Sequence, residues 1–175
     1  MKNLIIAFAV CIVFLSSCSN PSVAPVNDNT KKTNALSVKN DTALILSIVN
    51  VQASVIGGTI TVPINVAHFN NVGAISLKIS YDPSVLKFID IKGVPADTTI
   101  IGSGTPGVIY LDWFDMTAIT PLNIGTGKLV DLNFTYLGGT SIIAFIPSAC
   151  DIADGSALSY TNVIYFNGNV SFGKD

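Results

Sequence analysis

Glutamate and arginine are both missing from this chain of 175 residues, and histidine occurs once, as His68. Each absence removes a class of chemistry. Without arginine there is no planar, bidentate fork for phosphate, and the lysines are scattered, so nucleic-acid recognition is not expected. Without glutamate, the two carboxyls that flank the bond in most glycoside hydrolases would both have to be aspartates. A Ser-His-Asp or Cys-His mechanism has only His68 to use. His68 falls in the Ala67-His68-Phe69-Asn70-Asn71 stretch at the end of an apolar run and reads as an ordinary loop residue. Charge is scarce as well, at 11% of residues with a net charge of −2, so no strong field draws the chain to a polyanion or an anionic surface. The expectation is a binding module rather than an enzyme, with no cofactor and no resident metal.

What is present starts with a leader. Lys2 gives a positive start, and Leu4 to Leu15 is an almost unbroken apolar run. The run is shorter than the ~20 residues a membrane-spanning helix needs, so residues 1–17 read as a secretion signal. The Leu15-Ser16-Ser17-Cys18 end resembles a bacterial lipobox, which implies removal of the leader and acylation of Cys18. Each buried methylene contributes about 0.8 kcal/mol, so two or three acyl chains hold a protein firmly on a bilayer. Ser19, rather than Asp, follows the cysteine; by resemblance to Gram-negative lipoprotein sorting this favours the outer membrane, with the leaflet left open.

Cys11 then leaves with the leader and Cys18 carries lipid, so Cys150 has no cysteine to pair with. It is expected as a small buried apolar residue. Residues 18–42 hold Asn, Ser, Thr, Pro and a Lys31-Lys32 pair, with too little aliphatic surface to fold, and read as a tether.

From residue 43 to 175 the pattern is that of one all-β domain. Ile60, Val62, Ile64 and Val66 alternate with Thr61, Pro63, Asn65 and Ala67, a period of two with one buried face. Pro63 lacks a ladder donor, which predicts an edge strand or a bulge. Ile75, Leu77 and Ile79 alternate with Ser76, Lys78 and Ser80, and Tyr81-Asp82-Pro83-Ser84 breaks that strand with turn chemistry. Further strands are expected at 44–49, 86–91, 108–115, 129–136, 142–146, 163–166 and 169–172, the last two joined by a tight turn at Asn167-Gly168. Nine short strands without an amphipathic helix imply a sandwich or barrel, not a parallel α/β fold.

Several stretches resemble the cohesin domain, the receptor module of cellulosomes. They are Gly58-Thr-Ile-Thr-Val-Pro-Ile-Asn-Val66, Val72-Gly-Ala-Ile-Ser-Leu-Lys-Ile-Ser-Tyr-Asp-Pro-Ser-Val-Leu86, Gly127-Lys-Leu-Val-Asp-Leu-Asn-Phe134 and Asn167-Gly-Asn-Val170. The likeness spans about residues 48–172, and Tyr81-Asp82-Pro83 is its most specific part. It implies a nine-stranded jelly-roll sandwich without catalytic activity. It also implies a dockerin, a small calcium-loaded helical module on a partner protein, bound on one flat sheet face in the service of polysaccharide degradation. A group of cellulose-binding modules shares this broad fold, so the alternatives are a carbohydrate-binding lipoprotein or a structural, adhesive surface protein. The best-known cohesin type carries Asn and Asp in the strand before Tyr-Asp-Pro, where this chain has Ala74 and Ser76. Asp115 falls near an acidic contact of that type.

The residues themselves point to the same region. Ile109, Leu111 and Trp113 share one face of their strand and read as core; Tyr110, Asp112 and Phe114 share the other. Outward aromatics on a sheet can anchor a protein or stack on sugar. Ser76 and Lys78, in a mixed polar face with Ser80, lean towards a protein partner. The candidate partner-binding residues are therefore Ser76, Lys78, Tyr110, Asp112, Phe114 and Asp115. Asp112 and Asp115 sit an odd number apart, so a regular strand does not pair them for catalysis. Asp151-Ile-Ala-Asp-Gly155 lacks the EF-hand spacing and is expected to be a solvated turn, not a calcium site.

Overall fold

The alternation of apolar and polar residues becomes two sheets in the computed structural model, which describes residues 42–93, 105–115 and 120–173. The expected leader, Cys18 and nearly all of the expected tether lie outside the described residues. The strands in chain order are β1 (Leu44–Ile48), β2 (Val51–Ala53), β3 (Thr59–Phe69), β4 (Val72–Ser80), β5 (Leu86–Lys92), β6 (Val108–Phe114), β7 (Gly125–Tyr136), β8 (Ser141–Phe145), β9 (Asp151–Asp154), β10 (Val163–Phe166) and β11 (Gly168–Phe172). A single 3₁₀ turn, Pro147–Ala149, separates β8 from β9. One sheet has the order β10-β1-β3-β7-β5; the other runs β2-β11-β8-β4-β6, with β9 also paired to β4.

The inward faces meet in one core. Val62, Ile64 and Val66 of β3, Ile75, Leu77 and Ile79 of β4, and Ile109, Leu111 and Trp113 of β6 are all buried, as their spacing predicts. Phe134 lies at the centre, edge-on to Tyr81 and Phe88. Tyr136 is fully buried, and its hydroxyl donates to the Gly139 carbonyl at 2.7 Å, so no polar group is left unmet. Full burial of each such side chain contributes about 1.5–3 kcal/mol, which lets a domain without a disulfide rely on packing. The turn after β4 is held by Asp82, whose Oδ1 accepts from the Ser84 amide at 2.8 Å and hydroxyl at 2.6 Å. Those two bonds favour the ionised form and hold the Asp82 carboxyl below the usual aspartate value.

Four local expectations change. The described residues form eleven strands rather than nine, because Val51–Ala53 and Asp151–Asp154 also pair. The Asp151–Asp154 stretch is thus a strand, not a turn; the turn comes after it, where Asp154 Oδ1 accepts from the amides of Ser156 and Leu158.

Of the two expectations for Pro63, an edge strand or a bulge, the second holds: β3 is an interior strand, and its register shifts just after the proline. The carbonyl of Pro63 accepts from the Val49 amide at 3.0 Å, so its nitrogen also points towards β1, just where β1 has ended. The missing donor costs nothing on the β7 side, and a register shift follows between Ile64 and Asn65.

Asn167-Gly168 is not a hairpin. β10 pairs with β1 in one sheet and β11 with β8 and β2 in the other, so the dipeptide carries the chain across the sandwich. Gly168 is there for clearance: a Cβ would lie 2.7 Å from both the Ile48 carbonyl oxygen and Ile48 Cγ2. Asn167 Oδ1 accepts from the Phe145 amide at 3.0 Å.

Cys150 is half-buried and is not a plain apolar filler. Between the stretches of β4 paired to β8 and to β9, its Sγ accepts from the Lys78 amide at 3.4 Å and its thiol faces the Lys78 carbonyl at 3.6 Å. The thiol fills a gap in the ladder, and burial pushes its pKa up.

Candidate functional site

β4 is the axis of the site. On one side it pairs with β6 in the register Ala74↔Phe114, Ser76↔Asp112, Lys78↔Tyr110 and Ser80↔Val108. Because Ile75, Leu77 and Ile79 are buried, alternation turns Ala74, Ser76, Lys78 and Ser80 outward. The same rule turns Tyr110, Asp112 and Phe114 outward, with Tyr110 at 38% and Phe114 at 54% exposure. Ser76, Lys78, Tyr110, Asp112 and Phe114 therefore form one contiguous patch on two adjacent strands. The Lys78 ammonium lies 5.3 Å from the centroid of the Tyr110 ring, a cation–π contact that covers part of that aromatic face.

Asp115 stands apart. It follows the end of β6, and its Oδ2 accepts from the Thr120 amide at 2.7 Å. With Gly73, Ala74, Phe114 and Asp154 it lines a concavity of about 170 Å³ at the rim of the patch. The two carboxylates there serve their own turns, as their backbone donors show. A larger groove of about 380 Å³, lined by Tyr81, Pro83, Leu86, Lys87, Phe88 and Leu137 among others, has no carboxylate, histidine or cysteine among its described lining residues. His68, with φ +58°, has Nδ1 3.0 Å from the Ala43 carbonyl oxygen and takes part in joining β3 to the start of β1. Among the described residues no group of three His, Cys or Asp side chains is placed to hold a metal ion.

The other side of β4 adds residues that the sequence reading did not place here. Ser76 is also opposite Asp151, and Ala74 opposite Ala153, both on β9. The signal was partial: Asp151 is exposed beside the buried Ile152, but Ala153 and Asp154 are buried as well, so no period of two stands out. It was masked by the brevity of the strand and by the Asp-Gly that follows. β9 fits closely because residue 73 is glycine; a Cβ there would lie 2.6 Å from the Asp154 carbonyl oxygen. Ile142 and Ala144 of β8 extend the face, with Ile142 at 66% exposure.

One tyrosine behind this face is perturbed. Tyr165 of β10 packs on Phe145 at 5.1 Å between ring centroids. Burial, followed by the nearby Cys150 and Asp151, pushes its pKa up to about 12 from 10.0. The unfolded chain therefore releases this proton first as pH rises. Stability that is complete below about pH 10 falls between 10 and 12. Tyr165→Phe is expected to flatten that part of the alkaline stability curve, read as the urea midpoint at pH 9, 10 and 11.5. An unchanged slope would assign it to other groups.

Solved structures share this architecture. The cohesin CaCohA2 of Clostridium acetobutylicum is 25% identical, with a TM-score of 0.64 over 74% of this chain and 90% of that one. A complex from Clostridium thermocellum, described as a novel type I cohesin–dockerin complex, matches at 19% identity and TM-score 0.66, covering 75% of this chain and 99% of that one. A non-cellulosomal cohesin from the archaeon Archaeoglobus fulgidus matches at 21% identity and TM-score 0.62, covering 75% and 92%. No curated protein matches. The sequence profile of the cohesin domain matches residues 44–172, from the first residue of β1 to the last of β11. On that match, made over nearly the whole folded unit, the chain belongs to the cohesin-domain family.

Proposed function

We propose that this domain is a non-catalytic receptor that binds a dockerin-type protein module through the outer face of the six-stranded sheet. The observation that carries the reading is the exposed patch built by the register of β4 and β6, which mixes hydroxyl, acid, cation and aromatic groups. Such a mixture suits a protein surface. A row of bare aromatics would suit sugar, but the ring of Tyr110 is already partly occupied by Lys78. The cohesins in the solved cohesin–dockerin complexes share the fold. In the same proposal, residues 1–17 are the secretion signal, Cys18 is acylated, residues 19–42 are the tether, and the domain stands on the outside of a bacterial envelope as part of a polysaccharide-degrading apparatus.

The test uses residues 19–175, which contain the entire compact unit Val38–Asp175, as bait against the organism's own secreted and envelope proteins. A partner carrying a dockerin-type module, retained in calcium and released by EDTA, is the expected result, because the module folds around calcium. Retention of nothing in calcium, or retention indifferent to EDTA, sinks the dockerin reading.

A further inference from the structure

Ser76 is flanked by carboxylates on both sides. Its directly opposed residues are Asp112 on β6 and Asp151 on β9, and all three side chains leave the same face. Directly opposed Cβ atoms lie about 5 Å apart, so the Cβ atoms of the two aspartates are about 10 Å apart across β4. Each carboxylate reaches roughly 2.5 Å beyond its Cβ, so both come within ion-pair reach of one cation placed over Ser76. Among the described residues no ion pair reaches Asp112 or Asp151. Lys78, on the same strand, is drawn over the Tyr110 ring, and the described ion pairs use Lys92 and Lys128 on the other sheet. Asp151 is already held on one side, since the Ser159 hydroxyl donates to its Oδ2 at 3.2 Å.

The neighbouring row is apolar: Phe114 of β6, 54% exposed, lies beside Ala74 of β4, and Ala153 of β9 continues the row but is buried. That row suits the aliphatic stem of a long basic side chain whose charged head sits over Ser76. From this charge complementarity we infer that the partner is a protein whose docking surface presents a lysine or arginine to the Asp112–Ser76–Asp151 row, with its stem over Ala74 and Phe114. The inference rests on the proposed binding face and adds the chemistry of the partner to it. Two uncompensated carboxylates disfavour an acidic partner, and a neutral sugar would leave both unpaired.

The test uses isotope-labelled residues 19–175 and a helical peptide of about 18 residues that carries one arginine among alanines and leucines on one face. The control peptide has citrulline, the neutral isostere, in its place. The arginine peptide is expected to shift the amide signals of Ser76, Asp112, Asp151 and Ala153. It should bind about fivefold more tightly than the citrulline peptide in low salt, with the difference shrinking as salt rises. In the variant Asp112→Asn/Asp151→Asn, checked for an unchanged melting temperature, the two peptides should bind alike. Equal binding of both peptides to the parent domain overturns the inference. So does an arginine peptide that leaves these amides unmoved, or a cello-oligosaccharide that moves them when the peptides do not. The same double variant in the calcium and EDTA experiment separates the two claims. A calcium-dependent partner retained undiminished removes the cationic contact but keeps the receptor, whereas no partner for the parent domain removes the receptor itself.

Discussion

Phe114→Ala is expected to weaken binding of the proposed calcium-loaded partner by about thirtyfold. Truncating an anchor at the centre of an interface costs about 2 kcal/mol or more, and each 1.4 kcal/mol is a factor of ten. Phe114 has the features of an anchor: a large apolar ring, 54% exposed, next to small Ala74 on the neighbouring strand. For the same reason its removal opens no cavity, and the melting temperature should move by no more than about two degrees. The natural control is Phe166→Ala, which removes a ring of equal exposure from the outer face of the five-stranded sheet. Isothermal titration with the captured partner decides the matter. Loss at Phe114 alone places the partner on β4 and β6; loss at Phe166 alone moves it to the opposite sheet and refutes the proposed face.

Gly168→Ala destabilises the fold by about 3 kcal/mol, roughly a ten-degree fall in melting temperature for a domain of this size. The cause is a collision with main chain. The added Cβ would lie 2.7 Å from the carbonyl oxygen of Ile48, at the end of β1, and equally close to the Ile48 side chain. Neither can retreat, because Ile48 is packed in the core and pairs with Ile64. Gly127→Ala supplies the comparison: its nearest neighbour is Ile124 Cγ2 at 3.4 Å, an ordinary contact, so it should change stability by less than about 1 kcal/mol. Thermal melts of the two variants side by side check the argument. Equal, small effects would mean that the crossing between sheets is looser than its distances indicate.

Gly168 also shows what local reading can and cannot reach. Asn-Gly is the strongest short-range hairpin signal, and nothing within four residues reveals that the flanking strands join different sheets. That depends on β1 and β2, which lie more than a hundred residues earlier and take β10 and β11 as parallel neighbours. Which of the two expectations for Pro63 holds, edge or bulge, is not local either, because whether its nitrogen faces a partner depends on where β1 stops. Period-two alternation, by contrast, is local and strong. It orients β3, β4 and β6 from residue order alone, and with them the outward Ser76, Lys78, Tyr110, Asp112 and Phe114. The site was legible to that extent. Register was not, so the pairing of Ser76 with Asp151, the ladder role of the Cys150 thiol and the departure of Asp115 to the rim all needed the fold.

The placement of β1 has a mechanical side. Pulling on the chain ahead of Leu44 acts along this strand, which is held by β10 on one flank and β3 on the other. Both ladders are then loaded in shear, and their hydrogen bonds must yield together instead of peeling one pair at a time. If a partner tugs on the face around β4 while the N-terminal side is fixed to a surface, the load enters the domain through this doubly clamped strand. In the proposed tethered receptor, such a pull would load both ladders of β1 at once.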